Sequence, residues 1–260
     1  MVRKKSRLCI VDAALSVVLG GLPGYGQEPN DRPLTKAAIE QIIKEYILKN
    51  PEVLLDSVRQ YQEREQATQK QRSKDAVAKQ QNELLRDPAT PATRPASAKT
   101  GEVTIVEFFD YRCGYCKKVS PTLIKVLAAN PDVRVVFKEF PILGPESTVA
   151  AKAGLAAEKQ GKYVQFHQAM MAASAVNEAG IEQVAKQVGL DVAKLKADMQ
   201  SPEIAAEIEK NIQLASAVGV TATPTFVVGS EMVAGAIDAQ AFQGLIAKAQ
   251  PNKPDAAAKP

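Results

Sequence analysis

Apolar residues recur at helical spacing from Thr35 onward, with Ile39, Ile42, Ile43, Tyr46 and Ile47 on one face and Thr35 placed to cap the first turn. Asn50-Pro51 interrupts this pattern and restarts it, Asn serving as a cap and Pro occupying the first helical position. Val53, Leu54, Leu55, Val58 and Tyr61 then form a second apolar face. Beyond Tyr61, as far as Arg86, Gln, Glu, Lys and Arg predominate, so this stretch has little to bury. A polar helix of that kind either stands in solvent or pairs with copies of itself, because propensity alone seldom holds a long isolated helix together. Residues 27–86 therefore read as an N-terminal helical segment for oligomerisation; the alternative is a helical hairpin folded back on its own chain.

The pattern then changes. Asp87 to Thr100 carries Pro88, Pro91 and Pro95 among Ala, Thr and Ser and predicts a linker that lets two bodies move independently. Val103 to Phe109 is a buried-strand run, followed by a helix-forming stretch and a second strand over Val133 to Lys138. From about Glu146 to Val218 only helical patterns occur, including Ile181 to Val188, Val192 to Met199 and Ile204 to Ala217. Thr225 to Val228 and Glu231 to Ala234 form a hairpin around Gly229-Ser230, Gly235 serves the turn after it, and Asp238 caps a last helix ending near Ala249. The expected organisation is a helical segment, the linker over 87–100, an α/β domain over 101–250 with helices inserted at about 146–218, and a disordered tail over 251–260.

Composition changes the compartment. At 260 residues and 45% hydrophobic content the chain can bury a full core. Arg3, Lys4, Lys5 and Arg7 precede a largely apolar run from Leu8 to Leu22, too short for a membrane span. Residues 1–26 thus read as a secretory signal cleaved after Gly24-Tyr25-Gly26, with an uncleaved anchor as the alternative. Much of the formal charge of +4 belongs to that signal, and the remainder, near neutral and without a basic stripe, gives no electrostatic case for nucleic-acid binding. Cys9 is lost with the signal, which leaves Cys113 and Cys116 in a chain sent to an oxidising compartment.

Cys113-Gly114-Tyr115-Cys116 is where chemistry concentrates. A disulfide exchanger needs an exposed attacking thiolate, stabilised as an anion, and a second thiol close enough to resolve the mixed disulfide. At a helix start, Cys113 meets free backbone N–H groups and the positive end of the helix dipole, while Cys116 lies one turn inside. Cys113 is thus the attacking sulfur and Cys116 the resolving one. A tetrahedral zinc site would need ligands beyond Cys9 and His167, so no metal is expected. An inert disulfide remains as an alternative, although so small a loop constrains the unfolded chain little. His167 reads as structural, and no phosphate loop or dinucleotide fingerprint occurs. No cofactor is expected beyond the redox-active Cys113–Cys116 pair.

Val106-Glu107-Phe108-Phe109-Asp110-Tyr111-Arg112-Cys113-Gly114-Tyr115-Cys116-Lys117-Lys118 resembles the DsbA-like family of bacterial periplasmic disulfide oxidoreductases. The resemblance, over about residues 101–249, implies a thioredoxin fold with a helical insertion. It places the family's buried acid on Glu107, with a Lys partner on Lys138, and a substrate-facing cis-proline loop on Thr221-Ala222-Thr223-Pro224-Thr225-Phe226. Thr223 would offer its backbone to a bound substrate strand. A carboxyl in an apolar strand is costly unless paired, and near Cys116 it could accept that thiol's proton; a solvent-facing edge position is the alternative. Gly-Tyr between the cysteines, Thr before the proline and the helical segment also resemble the isomerase branch, DsbC-like or oligomeric ScsC-like. The implied partners are unfolded or wrongly bridged exported proteins and a membrane redox partner, DsbB-like for an oxidase or DsbD-like for an isomerase. A redox-inactive periplasmic chaperone is the rival from another class.

Overall fold

The computed structural model describes residues 33–94 and 102–250; the expected signal with Cys9, the end of the expected linker and the expected disordered tail lie outside the described residues. Two compact units divide at Val58/Arg59. The first holds α1 (Lys36–Lys49), capped by Thr35 as expected, its Oγ1 accepting from Ala38 N at 3.2 Å, and the start of α2 (Pro51–Lys79). Its apolar side chains, among them Ile39, Ile42, Ile43, Tyr46, Leu54 and Leu55, are exposed.

The second unit is built on a four-stranded sheet in the order β2-β1-β3-β4. β1 (Val103–Phe109) runs parallel to β2 (Val133–Glu139) and antiparallel to β3 (Thr225–Val228), which forms the expected hairpin with β4 (Glu231–Ala234). β1 and β2 are buried on both faces; β1 is apolar apart from Thr104 and Glu107, whereas β2 carries Arg134, Lys138 and Glu139 into buried positions. Alternation along each strand divides the core. Ile105, Phe109, Val135, Phe137, Phe226 and Val228 face one cluster with α4 (Gly114–Ala129), the insertion helices and α10 (Ala239–Ala249). Val106, Phe108, Val136 and Val227 face a second with α3 (Gln81–Leu85) and the end of α9 (Pro202–Val218). The insertion is α5 (Pro145–Glu158), α6 (Tyr163–Ala172), α7 (Glu178–Gln187), α8 (Val192–Asp198) and α9. The final helix is capped as expected, Asp238 accepting from Ala241 N at 2.8 Å.

Two expectations need correction. The polar part of α2 does find something to bury: Val77 and, in α3, Leu84 enter the second core, and Lys74 pairs with Glu231 at 2.6 Å. The Pro-rich stretch does not begin as a free linker either. Thr93 N donates to Val135 O at 2.9 Å, Phe137 N donates to Pro91 O at 2.9 Å, and Ala92 bridges Val136, so residues 91–93 lie along the outer edge of β2. The physical reason is that β2 would otherwise present unpaired backbone groups there, and proline is tolerated on an edge strand. Leu84→Ala should cost about 2–5 kcal/mol, read as a shifted urea midpoint of unfolding; a surface-mounted α3 would leave the midpoint in place.

Candidate active site

β1 ends at Phe109, and after three intervening residues Cys113 stands as the cap of α4. The turn between them is fixed by Asp110, whose buried carboxylate accepts from Arg112 N (2.7 Å), Ile142 N (2.9 Å), Leu143 N (3.0 Å) and Ser147 Oγ (2.8 Å). Cys113 N donates to Asp110 O at 3.0 Å. Arg112 crosses to the same loop, donating to Leu143 O at 2.7 Å and pairing with Glu146 at 3.3 Å.

Cys113 Sγ accepts from Cys116 N at 3.4 Å, so the sulfur occupies the position a capping oxygen normally takes, against the unpaired N–H groups of the helix start. It also donates to Thr223 O at 3.2 Å, and the Thr223–Pro224 peptide is cis. The sequence-predicted loop therefore lies against the predicted sulfur. That contact leaves Cys113 only 6% exposed, more covered than the freely exposed thiolate expected. Gly235, with φ +91°, donates its N–H to Pro224 O at 2.7 Å and so ties the end of the hairpin to this loop. Tyr115 points outward at 66% exposure, and at Gly114 a side chain would meet open space.

Cys116 is wholly buried, and burial, together with the Glu107 carboxylate and the neighbouring Cys113, pushes its thiol well up against a backbone hydrogen bond from Asp110 that acts the other way. Glu107 sits on β1 between β2 and β3, 1% exposed, so the edge-strand alternative does not hold. Its Oε1 has no hydrogen-bond partner, and burial raises the carboxyl to about 8. A buried carboxyl oxygen left without a hydrogen-bond partner is expensive to keep.

Lys138 is not the partner of Glu107. Glu107 stands opposite Phe137 and Lys138 opposite Phe108, and successive side chains on a strand point to opposite faces, so the two are divided by the sheet. Lys138, fully buried, instead donates to Thr90 Oγ1 at 2.6 Å and lies 3.8 Å from Asp87. His167 is buried among Phe109, Phe137 and Tyr163. Among the described residues no cluster has the makings of a metal site, and no helix is long and apolar enough to cross a membrane.

A cysteine pair at a helix start, faced by a cis-proline loop and set beside a four-stranded mixed sheet, defines a thioredoxin-like domain. The DSBA-like thioredoxin domain model matches residues 104–247, and the chain belongs to that family. Residues 36–68 match a second model, the copper resistance protein ScsC N-terminal domain. Among solved structures, a thioredoxin-like oxidoreductase from Silicibacter pomeroyi is 41% identical, with TM-score 0.61 over 65% of this chain and 96% of that one. The catalytic domain of Proteus mirabilis ScsC is 27% identical, with TM-score 0.60 over 68% of this chain and 98% of that one. BcfH of Salmonella enterica Typhimurium is 26% identical, with TM-score 0.70 over 83% and 96%. Curated relatives include a Na(+)/H(+) antiporter NhaA of Herminiimonas arsenicoxydans, 29% identical over 147 residues, which are 56% of this chain and 24% of that protein. The chain thus spans about a quarter of the length of the curated relatives it matches.

The carboxyl of Glu107 makes stability depend on pH with a definite sign. Its folded pKa lies above the ordinary 4.5, so the stability it allows is fully present below about 4.5 and is lost as pH rises through about 8. Glu107→Gln should raise stability at pH 8 by roughly 1–4 kcal/mol relative to the parent and change it little at pH 4.5. Urea unfolding at both pH values checks this; equal effects at both would mean an ordinary, solvated carboxyl.

Proposed function

We propose that this protein exchanges disulfides with cysteines of exported polypeptides through Cys113. The observation that carries the reading is the sulfur of Cys113 held as the cap of α4 with the Thr223 carbonyl 3.2 Å away. Cys113 thiolate attacks a substrate disulfide, forming one S–S bond to the substrate and releasing the substrate's other sulfur as a thiolate. Cys116, deprotonated, then attacks Cys113 Sγ; the intramolecular disulfide forms, and the second substrate sulfur leaves reduced. Run in reverse, the same steps oxidise a substrate dithiol. Buried Cys116 is a poor acid, so its attack needs a base, and Glu107, raised to about 8 and electrostatically coupled to it, is the group placed to take that proton. Thr223, next to Pro224, offers backbone to an extended substrate strand, as the sulfur contact in the resting protein anticipates.

Insulin reduction should disappear in Cys113→Ala, while Cys116→Ala should accumulate a mixed disulfide with substrate visible on non-reducing gels. Glu107→Gln should slow release from that mixed disulfide on the order of tenfold or more. Normal insulin reduction by Cys113→Ala would end the proposal and favour a chaperone without redox chemistry.

A second reading, isomerisation of wrong bridges, is favoured by the N-terminal segment. Ile42, Ile43, Leu54 and Leu55 are exposed, and large apolar side chains lined up on one segment call for a cover. Copies of this chain packed there would bring several active sites to one misfolded client in the periplasm. Ile43→Glu with Leu55→Glu should lower the mass seen by light scattering and slow scrambled-substrate refolding while leaving insulin reduction within about twofold. Unchanged mass would reject self-association through this face.

A further inference from the structure

Beside the cysteine pair lies an enclosed polar cluster that the exchange steps do not use. Glu139, the last residue of β2, projects from the same sheet face as Phe137 and Glu107. Tyr163 Oη donates to Glu139 Oε1 at 2.8 Å and Tyr111 Oη donates to the same oxygen at 3.2 Å, with His167 Nδ1 a further 3.4 Å from the Tyr111 hydroxyl. All four side chains are buried. The space is closed by α5: a Cβ on Gly154 would come within 2.6 Å of Glu139 Oε1 and 2.9 Å of Tyr111 Oη. Burial raises Glu139 and both phenols above their usual ranges and pushes His167 down to about 3, so each group is shifted towards its neutral form. A neutral, hydrogen-bonded group of this kind can stay buried at far less cost than an ionic one.

We propose that Glu139 is a positioning residue for the cysteine pair: by holding the Tyr111 hydroxyl it fixes the Asp110–Arg112 turn that delivers Cys113 to the start of α4. The proposal rests on the reading of Cys113 as the attacking sulfur. Tyr111 precedes Cys113 by two residues, and the turn has two buried anchors, the Asp110 carboxylate and the Tyr111 ring. Phe109 packs edge-on against that ring at 5.0 Å, which sets its depth but not the position of its tip; Glu139 supplies the tip contact. The two contacts of the Cys113 sulfur, 3.4 Å to Cys116 N and 3.2 Å to Thr223 O, are long enough that a shift of a few tenths of an ångström would weaken either.

Glu139→Leu, Glu139→Gln and Tyr111→Phe in the full chain test this. Two readouts are needed: the iodoacetamide rate of reduced Cys113 at pH 7, located by peptide mass spectrometry, and the glutathione ratio that half-oxidises the pair. Glu139→Leu and Tyr111→Phe should each change both by about threefold or more. Glu139→Gln, which offers the same acceptor and donor groups as a protonated carboxyl, should stay within about twofold of the parent. A folded Leu variant with both readouts unchanged overturns the proposal, and should that variant fail to fold, unchanged readouts in Tyr111→Phe overturn it equally. A Gln variant as altered as the Leu variant also overturns it, since these hydrogen bonds would then not carry the effect. Failure of the exchange reading looks different: the parent would form no Cys113–Cys116 disulfide in oxidised glutathione, while the alkylation rates would still report on the turn.

Discussion

Four groups from three segments converge on one carboxylate: Asp110 accepts from its own turn at Arg112, from Ile142 and Leu143 in the loop after β2, and from Ser147 in the first turn of α5. β1 must stop, the chain must reverse into a helix, and a sulfur must end up at the helix start, all within three residues. A buried charge is tolerable only when its lone pairs are used, and here they are, so the desolvation cost becomes a geometric constraint. The parallel strands, the loop leaving β2 and the helical insertion cannot shift against one another without breaking it. The placement of Cys113 and Cys116 follows from that joint more directly than from α4 itself.

Much of this was legible beforehand because it is written in local chemistry. Strand limits at Val103–Phe109, the hairpin at Gly229-Ser230, the caps at Thr35 and Asp238 and the Cys-x-x-Cys pair each depend on neighbours a few residues away. Glu107 stands out because the family resemblance puts a buried acid there and an acid in an apolar strand is costly unless paired. Asp110, Tyr111 and Glu139 were missed as functional positions. Asp110 looks like any turn aspartate, and Glu139 looks like the end of a strand; their importance comes from Ile142, Ser147 and Tyr163, which only the fold brings near. One weak signal is Glu139 itself, an acid closing a strand whose Val133, Val135, Val136 and Phe137 are apolar.

Two of the corrections share a cause. Motif position alone does not carry the strand register that sends Lys138 to the face opposite Glu107, and composition alone does not show that the Pro-rich stretch covers the edge of β2. Both positions belong to one arrangement on the far side of the sheet. Lys138 reaches Thr90 and approaches Asp87, and Thr90 in turn donates to Glu207 on α9 at 3.0 Å. The segment before the catalytic domain is therefore stitched to it by a buried amine as well as by backbone hydrogen bonds.

Pro121 lies inside α4, two turns from Cys113, and has no N–H to give the carbonyl of Lys117. The electrostatic pull of a helix end is exerted almost wholly by its terminal turn, so an interruption placed further along leaves the surroundings of the Cys113 sulfur intact. The same helix can thus serve two masters: its opening turn is free to be tuned for sulfur chemistry, while Leu123 and Val126 beyond the break remain free to vary with the core they fill.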